Sequence, residues 1–506
     1  MEKIAVVLLD TFKAKLSVVW VDHNLFNIID GDSETISLNL EPDADMFLTK
    51  TQIEKAIRAL KSFRKTCELH KVSKVIAMAT FVGENKPKNV HSFLEEVFNT
   101  CGFRFSILTN QEENTLIYSG IINTLDMPKG LICHIANESV HLIHYNRRVI
   151  LDHATLPFGP LTLAEKFPLD AETKTENLEK MQEFVANAFS EVEFINDLDD
   201  EDFEAIGSGD FFVDMSILTK RLKKYPLEIV NCYNLKLEDN LKVFDQIKQV
   251  EIDSSRKIKG TNQARADLFV ASMIITNCFL KTVKHDGLIV TVRNFVEGAI
   301  FNQVIETSQD KPITDTLGYS MNAQMSYYSE DAIPHSEQVY DLALILFKQL
   351  RVVHKLARGY IKILRLASFM HNCGERISFL NNAKNGFAVL MGSEIYGVTQ
   401  REQLLAALAI SMRSGGDLSV SDIVRYRDII SDEDVDAVRK IATIVRIAEA
   451  FDRLKSAVII DVNCDILGDS VILKTIAIGD SSFEITKAQE CEKDFEKFFG
   501  KKIEIL

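Results

Sequence analysis

The 506-residue chain is 46% hydrophobic and 26% charged, a globular balance with apolar material for several packed cores. Its formal net charge of -15 excludes long-range attraction to nucleic acid or an anionic membrane surface, while leaving room for a local basic pocket. Eight cysteines, at 67, 101, 133, 232, 278, 373, 464 and 491, show no C-x-x-C spacing, which excludes a zinc ribbon or a thioredoxin-like motif.

Ile4 to Asp10 reads as a buried strand, and Leu16 to Val21 as a second one after a turn holding Lys13 and Lys15. Ile53, Ala56, Ile57, Leu60 and Phe63 recur at helical spacing between Thr51 and Leu69. Val75–Ala79 and Phe103–Leu108 are further strands, and Asn110 opens a helix through Leu116, Ile117 and Ile121. A second unit starts near Lys129 with strands at Leu131–Ala136, Val140–Tyr145 and Val149–Asp152, and a later one at Gly287–Val292.

Two successive units of this kind predict duplicated α/β lobes over 1–127 and 128–305. The polar stretch 306–331 reads as a linker. Val339, Leu342, Ala343, Leu346, Phe347 and Leu350 then fall on one helix face and open a helical domain over 332–455. Strand-like runs and a helix over 456–506 form a small α/β unit. The N-terminal residues lack the pattern of a signal peptide and no apolar run nears the ~20 residues of a membrane span, so a cytoplasmic location and no membrane partner are expected. Glycine, at 22 residues, is scarce for a protein that wraps main-chain amides around phosphate.

Several segments carry a family resemblance. Gln111-Glu112-Glu113-Asn114-Thr115-Leu116-Ile117-Tyr118-Ser119-Gly120 is similar to an E-E-A-R-L-I-Y-x-G helix start, and Leu156-Pro157-Phe158-Gly159 to an L-P-x-G segment. Gly397-Val398-Thr399-Gln400-Arg401-Glu402-Gln403-Leu404-Leu405 resembles G-[FL]-x-Q-x-E-Q-L-L, and Val445 to Arg453 resembles L-R-L-A-D-A-L-D-R. In this order and spacing they resemble the exopolyphosphatase and guanosine pentaphosphate phosphohydrolase (Ppx/GppA) family over nearly the whole chain. The resemblance implies two actin-like ATPase (ribonuclease H-like) lobes with substrate between them, an HD-like helical domain, and a small C-terminal α/β unit. It implies hydrolysis of a terminal phosphoanhydride of polyphosphate or of a guanosine pentaphosphate with Mg2+, and a homodimer.

Such chemistry needs donors for the phosphoryl oxygens, a carboxylate-held metal and a base for water. The family's D-x-G-S-N-[ST] turn is here Asp10-Thr11-Phe12-Lys13-Ala14-Lys15. Asp10 remains able to hold a metal through water, while Phe12 stands at the glycine and is expected to crowd a phosphate. Lys13 and Lys15 offer charge for substrate, or are solvated residues of a plain β-turn. The phosphate loop D-x-G-G-G-S-x-E has become His134-Ile135-Ala136-Asn137-Glu138-Ser139-Val140-His141. Asn137, Ser139 and His141 are its candidate substrate contacts, but the glycines are gone and Glu138 brings a negative charge to an anion site.

Glu113 matches the remaining catalytic glutamate, and equally reads as the partner of Asn110 in a capping box. The T-S-x-x-R segment is Thr80-Phe81-Val82-Gly83-Glu84, with Lys86 or Lys88 as substitutes for its arginine. Gly207, Ser208 and Gly209 are a candidate anion turn or a surface turn, and Asp210 argues for the latter. Asn294 to Gly298 lacks the arginine of G-L-R-E-G. In the helical domain His335 and His371-Asn372 fall where HD metal ligands lie; with the other ligands missing they read as ordinary helix residues.

Phosphate-directed residues are lost together while packing segments stay. The reading is a family member with weak or lost hydrolysis and a binding or regulatory role. The alternatives are a slow exopolyphosphatase using Asp10, Glu113, Lys13 and Lys86, and a module that binds (p)ppGpp.

Overall fold

The apolar run of β1 (Glu2–Leu9) is buried on both faces, which makes it a central strand. The computed structural model describes residues 2–22, 25–38, 47–81, 87–169, 173–198, 203–248, 261, 265–304, 313–326, 328–329 and 331–506. Around β1 lie β2 (Lys13–Asp22), β3 (Leu25–Thr35), β4 (Lys74–Ala79) and β5 (Phe105–Ile107), in the order β3-β2-β1-β4-β5. β1 pairs antiparallel with β2, from Glu2↔Val21 to Leu9↔Ala14, and parallel with β4.

A second sheet repeats the plan. It contains β6 (Lys129–Ile135), β7 (Val140–Asn146), β8 (Val149–Leu156), β9 (Glu204–Ser208), β10 (Tyr233–Lys236) and β11 (Gly287–Thr291), in the order β10-β11-β9-β6-β7-β8. β6, β7 and β8 form an antiparallel meander, and β9 adds parallel to β6. Each sheet is therefore a three-stranded meander extended by parallel strands on its first strand, with β10 added antiparallel at the edge of the second, the expected duplicated α/β lobe.

Helices cover both sheets. Lys50–His70 starts at a Thr49–Gln52 capping box and stops at Lys71 in the left-handed region. Its apolar stripe of Ala56, Ile57, Leu60, Phe63 and Cys67 packs into the first lobe's core with Val7, Leu9 and Phe93. Ala266–Thr282 is buried around its whole girth, so its sequence shows no polar face.

The chain divides into two units, Met1–Thr314 and Asp315–Leu506. In the second unit the helices Ala332–Gln349, Tyr360–Phe369, Gln400–Ser411 and Asp432–Phe451 bury Val339, Leu342, Leu364, Leu404 and Ile444. They are followed by a sheet of β12 (Ile459–Ile466), β13 (Ser470–Ala477) and β14 (Lys502–Ile505). The stretch read as a linker holds a helix, Thr316–Met325, started by the Asp315 side chain. Its buried Leu317, Met321 and Met325 repeat every four residues, a stripe that the surrounding polarity hides. No helix among the described residues is long and apolar enough to cross a membrane.

Candidate functional site

Asp10 follows the last residue of β1, and its Oδ1 accepts from the amides of Phe12 and Lys13, both at 2.6 Å. It fixes the tight turn into β2. Burial nevertheless raises its pKa, against the pull of those amides and of Lys15 and Lys13. The Phe12 side chain does not crowd the cleft as expected: it is buried in the second lobe's core with Leu131, Val140 and Phe158. Burying a ring is more favourable than leaving it over a polar cavity.

Lys13 and Lys15 are two apart in β2 and so share one face of the sheet. They are not solvated turn residues. Lys15 Nζ lies 2.9 and 2.8 Å from the two carboxylate oxygens of Asp210, and Lys13 Nζ lies 3.3 Å from Asp210 Oδ2. Burial would raise the Asp210 pKa, but Lys15 and Lys13 outweigh it and hold the carboxyl well below its usual range. Burial likewise works to lower Lys15, and Asp210 reverses the sign.

Asp210 opens the helix Asp210–Lys223, directly after β9. The Gly207–Asp210 segment is not a surface turn: Gly207 and Ser208 end a buried strand, and Gly209 turns the chain at φ 110°. A Cβ at Gly209 would lie 2.5 Å from the Ile135 carbonyl oxygen, so glycine is required.

The degenerate phosphate loop is an ordinary hairpin turn between β6 and β7. Ile135 pairs with Val140, and the Ala136 amide donates to the Ser139 carbonyl at 3.0 Å. None of the residues from His134 to His141 has positive φ, so the non-glycine side chains fit without strain. Asn137 points its amide at Asp10 Oδ2 from 3.5 Å, at the limit of a hydrogen bond. Burial raises the Glu138 pKa to about 7, with Asp10 and Glu165 adding to the rise and a Thr11 hydrogen bond opposing it.

Beneath the turn lies a buried polar network. His141 Nδ1 is 2.8 Å from Asn114 Oδ1, and the Asn114 amide donates to Thr155 Oγ1 at 3.2 Å. His141 Nε2 is 3.0 Å from Ser139 Oγ and 3.2 Å from Glu113 Oε2. Glu113 is thus not a capping residue. The box belongs to Thr109 and Glu112, one position earlier, because Thr109 is the last extended residue before the helix Asn110–Ile122. Glu113 is 2% exposed and turned toward the cavity.

His134 stands where the family has a metal carboxylate. Its Nδ1 is 3.0 Å from Ser208 Oγ, whose own proton goes to the Arg293 carbonyl at 2.6 Å, so the ring donates to Ser208. Burial, then the neighbouring His141, pushes its pKa down to about 3. A neutral ring with its Nδ1 proton committed suits no hard cation, and one Asp10 oxygen is already taken by two amides. Magnesium, an oxygen-seeking octahedral ion, finds no ligand in that ring and would depend on the second Asp10 oxygen and the other carboxyl groups at the cavity. Among the described residues no three His, Cys, Asp or Glu side chains come together as a metal cluster.

These groups line a cavity of about 70 Å3, bounded by Asp10, Lys15, Glu113, Asn137, Glu138 and Asp210. That holds a few waters, at the ~10–15 Å3 each requires. Lys86 lies outside the described residues, and Lys88 places its ammonium 5.6 Å from the Phe47 ring centre. Sequence reasoning missed Arg293. It is buried one residue before the expected arginine segment, 3.2 Å from Glu297, so its charge is spent inside the lobe. The i, i+4 spacing was the available signal.

In the second unit His335 and His371 are not ordinary helix residues. His371 Nδ1 meets the Ser368 carbonyl at 2.6 Å and His335 Nδ1 meets Asp452 Oδ2 at 2.7 Å, leaving the two Nε2 atoms 3.2 Å apart. His335 Nδ1 donates to Asp452 and His371 Nδ1 to the Ser368 carbonyl, so the remaining ring nitrogens face each other. Burial pushes the His371 pKa down to about 3. Asn382 donates to Asn372 Oδ1 and Glu375 Oε1, both at 3.2 Å, so an amide pair fills the remaining positions.

The fold is that of a two-lobed actin-like α/β protein with a helical C-terminal part. A model of the Ppx/GppA phosphatase family matches residues 17–306, and one of Ppx/GppA phosphatase, domain III, matches residues 320–480. The chain belongs to the Ppx/GppA phosphatase family. Among solved structures, the Aquifex aeolicus Ppx/GppA family member is 20% identical, with a TM-score of 0.52 over 61% of this chain and 99% of that one. An exopolyphosphatase from Cytophaga hutchinsonii is 19% identical, with a TM-score of 0.55 over 60% and 98% of the two chains. A curated relative, the bifunctional 3-dehydroquinate synthase/phosphatase of Fusobacterium nucleatum, is 24% identical over 284 residues. That match spans 54% of this chain and 41% of the relative's length.

Proposed function

We infer that this chain is a Ppx/GppA-family protein in which hydrolysis of polyphosphate or (p)ppGpp is weak or lost, and which acts by binding or regulation. The observation that carries the reading is the hairpin turn from Ala136 to Ser139. A loop closed by its own Ala136–Ser139 hydrogen bond has spent the Ala136 amide, and it adds Glu138 to the wall. Asp10, Glu113, Glu138 and Asp210 give the cavity four carboxyl groups against two lysines, the wrong balance for a polyanion. A homodimer is carried over on the family resemblance.

A second reading, a slow exopolyphosphatase, is favoured by one observation: Glu113 remains at the cavity and is not consumed by helix capping. Phosphate release from long-chain polyphosphate with magnesium separates the two. The first reading expects none above a buffer blank. Release abolished by Glu113→Gln supports the second.

A further inference from the structure

Two ammonium groups from one face of β2 converge on a single carboxylate 195 residues further along the chain. Lys15 grips both oxygens of Asp210, the bidentate hold that a tetrahedral oxyanion would present to the same pair. The lysine side chains are 14% and 27% exposed and that of Asp210 is 39% exposed, so the trio is open to solvent on one side. It borders a cavity with room for one small anion.

We propose that Asp210 is a built-in competitor for a single tetrahedral oxyanion, such as inorganic phosphate or a terminal phosphoryl group, at the Lys13–Lys15 pair. This rests on the reading above, that the cleft has lost its catalytic donors, and adds how the remaining positive charge is controlled. The carboxylate is tethered, so it sits beside the lysines at a high effective concentration and no free anion competes at ordinary levels. Unlike an exposed ion pair, it also has a defined alternative. When the carboxylate is neutralised the two lysines still leave one face of β2 side by side, because their backbone is held by pairing with Leu8 and Thr35 and not by Asp210. A bound oxyanion would then replace one negative group by another of higher charge, with Asp10, Glu113 and Glu138 as the opposing neighbours.

Isothermal titration of the full chain with inorganic phosphate, and separately with tripolyphosphate, at low ionic strength tests this. The wild type is expected to give no heat of binding at millimolar anion. Asp210→Asn, nearly isosteric, is expected to bind at least about tenfold more tightly, and Asp210→Asn/Lys15→Met to lose that gain. Asp210→Ser, a smaller neutral polar side chain at the same position, serves if the asparagine variant melts early. Binding by the wild type as tight as by the variants overturns the proposal, as does a folded Asp210 variant with no gain. Polyphosphate hydrolysis by the wild type would instead sink the functional reading, so the two failures are told apart.

Discussion

His141 Nε2 lies 3.2 Å from Glu113 Oε2, and both side chains are cut off from solvent. The pair joins the first lobe's helix Asn110–Ile122 to the second lobe's hairpin, so it is a tie across the cleft as well as a remnant of a site. Gly120 and Gly298 let the same helix lie close against the helix Phe295–Val304, since a Cβ on either would meet main-chain oxygens at 2.3 and 2.0 Å.

Removing one partner strands the other. His141→Ala leaves Glu113, Ser139 and Asn114 without their common neighbour, and is expected to lower the stability of the first unit by about 3 kcal/mol in urea titrations. Glu113→Gln keeps a polar group of the same shape and should cost about 1 kcal/mol. Equal small losses for both would show that the network is not a tie.

Glu138 makes the first unit less stable as pH rises. Its folded pKa, raised to about 7, exceeds the ordinary value of 4.5, so the folded state binds the extra proton between those pH values. Stability from this group is complete below pH 4.5 and lost as pH rises through 7. Glu138→Gln should therefore gain about 2 kcal/mol over wild type at pH 8 and nothing at pH 4.5, measured by denaturant titration at each pH. A constant difference across that range would count against the burial of Glu138.

His371 has the opposite sign. Its pKa is depressed from 6.5 to about 3, so the unfolded chain binds more protons between these limits, and stability falls as pH drops below 6.5. The slope it contributes is about 1.4 kcal/mol per pH unit at most. His371→Gln should flatten the acid limb of the second unit's unfolding curve between pH 6 and 4. Nitrogen NMR of the labelled rings should find His371 neutral, with its proton on Nδ1, from pH 7 down to about pH 5. A His371 ring that gains its second proton near pH 6.5 would refute its burial as a neutral group.

Local patterns gave away the elements. Runs such as Ile4–Leu9 and the stripe Ala56, Ile57, Leu60, Phe63 mark a strand and a helix because burial imposes their periods. Close to the site the text became ambiguous. Thr109–Glu112 and Asn110–Glu113 are equally good capping boxes on paper, and only the extended backbone of Thr109 decides between them.

The roles of charged residues were hidden for another reason. Lys15 looks solvated until Asp210 is folded onto it, and His335 looks ordinary until His371 and Asp452 arrive from 36 and 117 residues away. The loss of glycine from the phosphate loop was legible, but its outcome was not. Residues expected to strain a phosphate loop instead settle into a hairpin with no positive φ.

Phosphate release from long-chain polyphosphate in the presence of magnesium probes the central claim most directly. The wild-type protein should release nothing above a buffer blank over hours, and Glu113→Gln should be indistinguishable from it. Steady turnover by the wild type that disappears in Glu113→Gln would contradict the account.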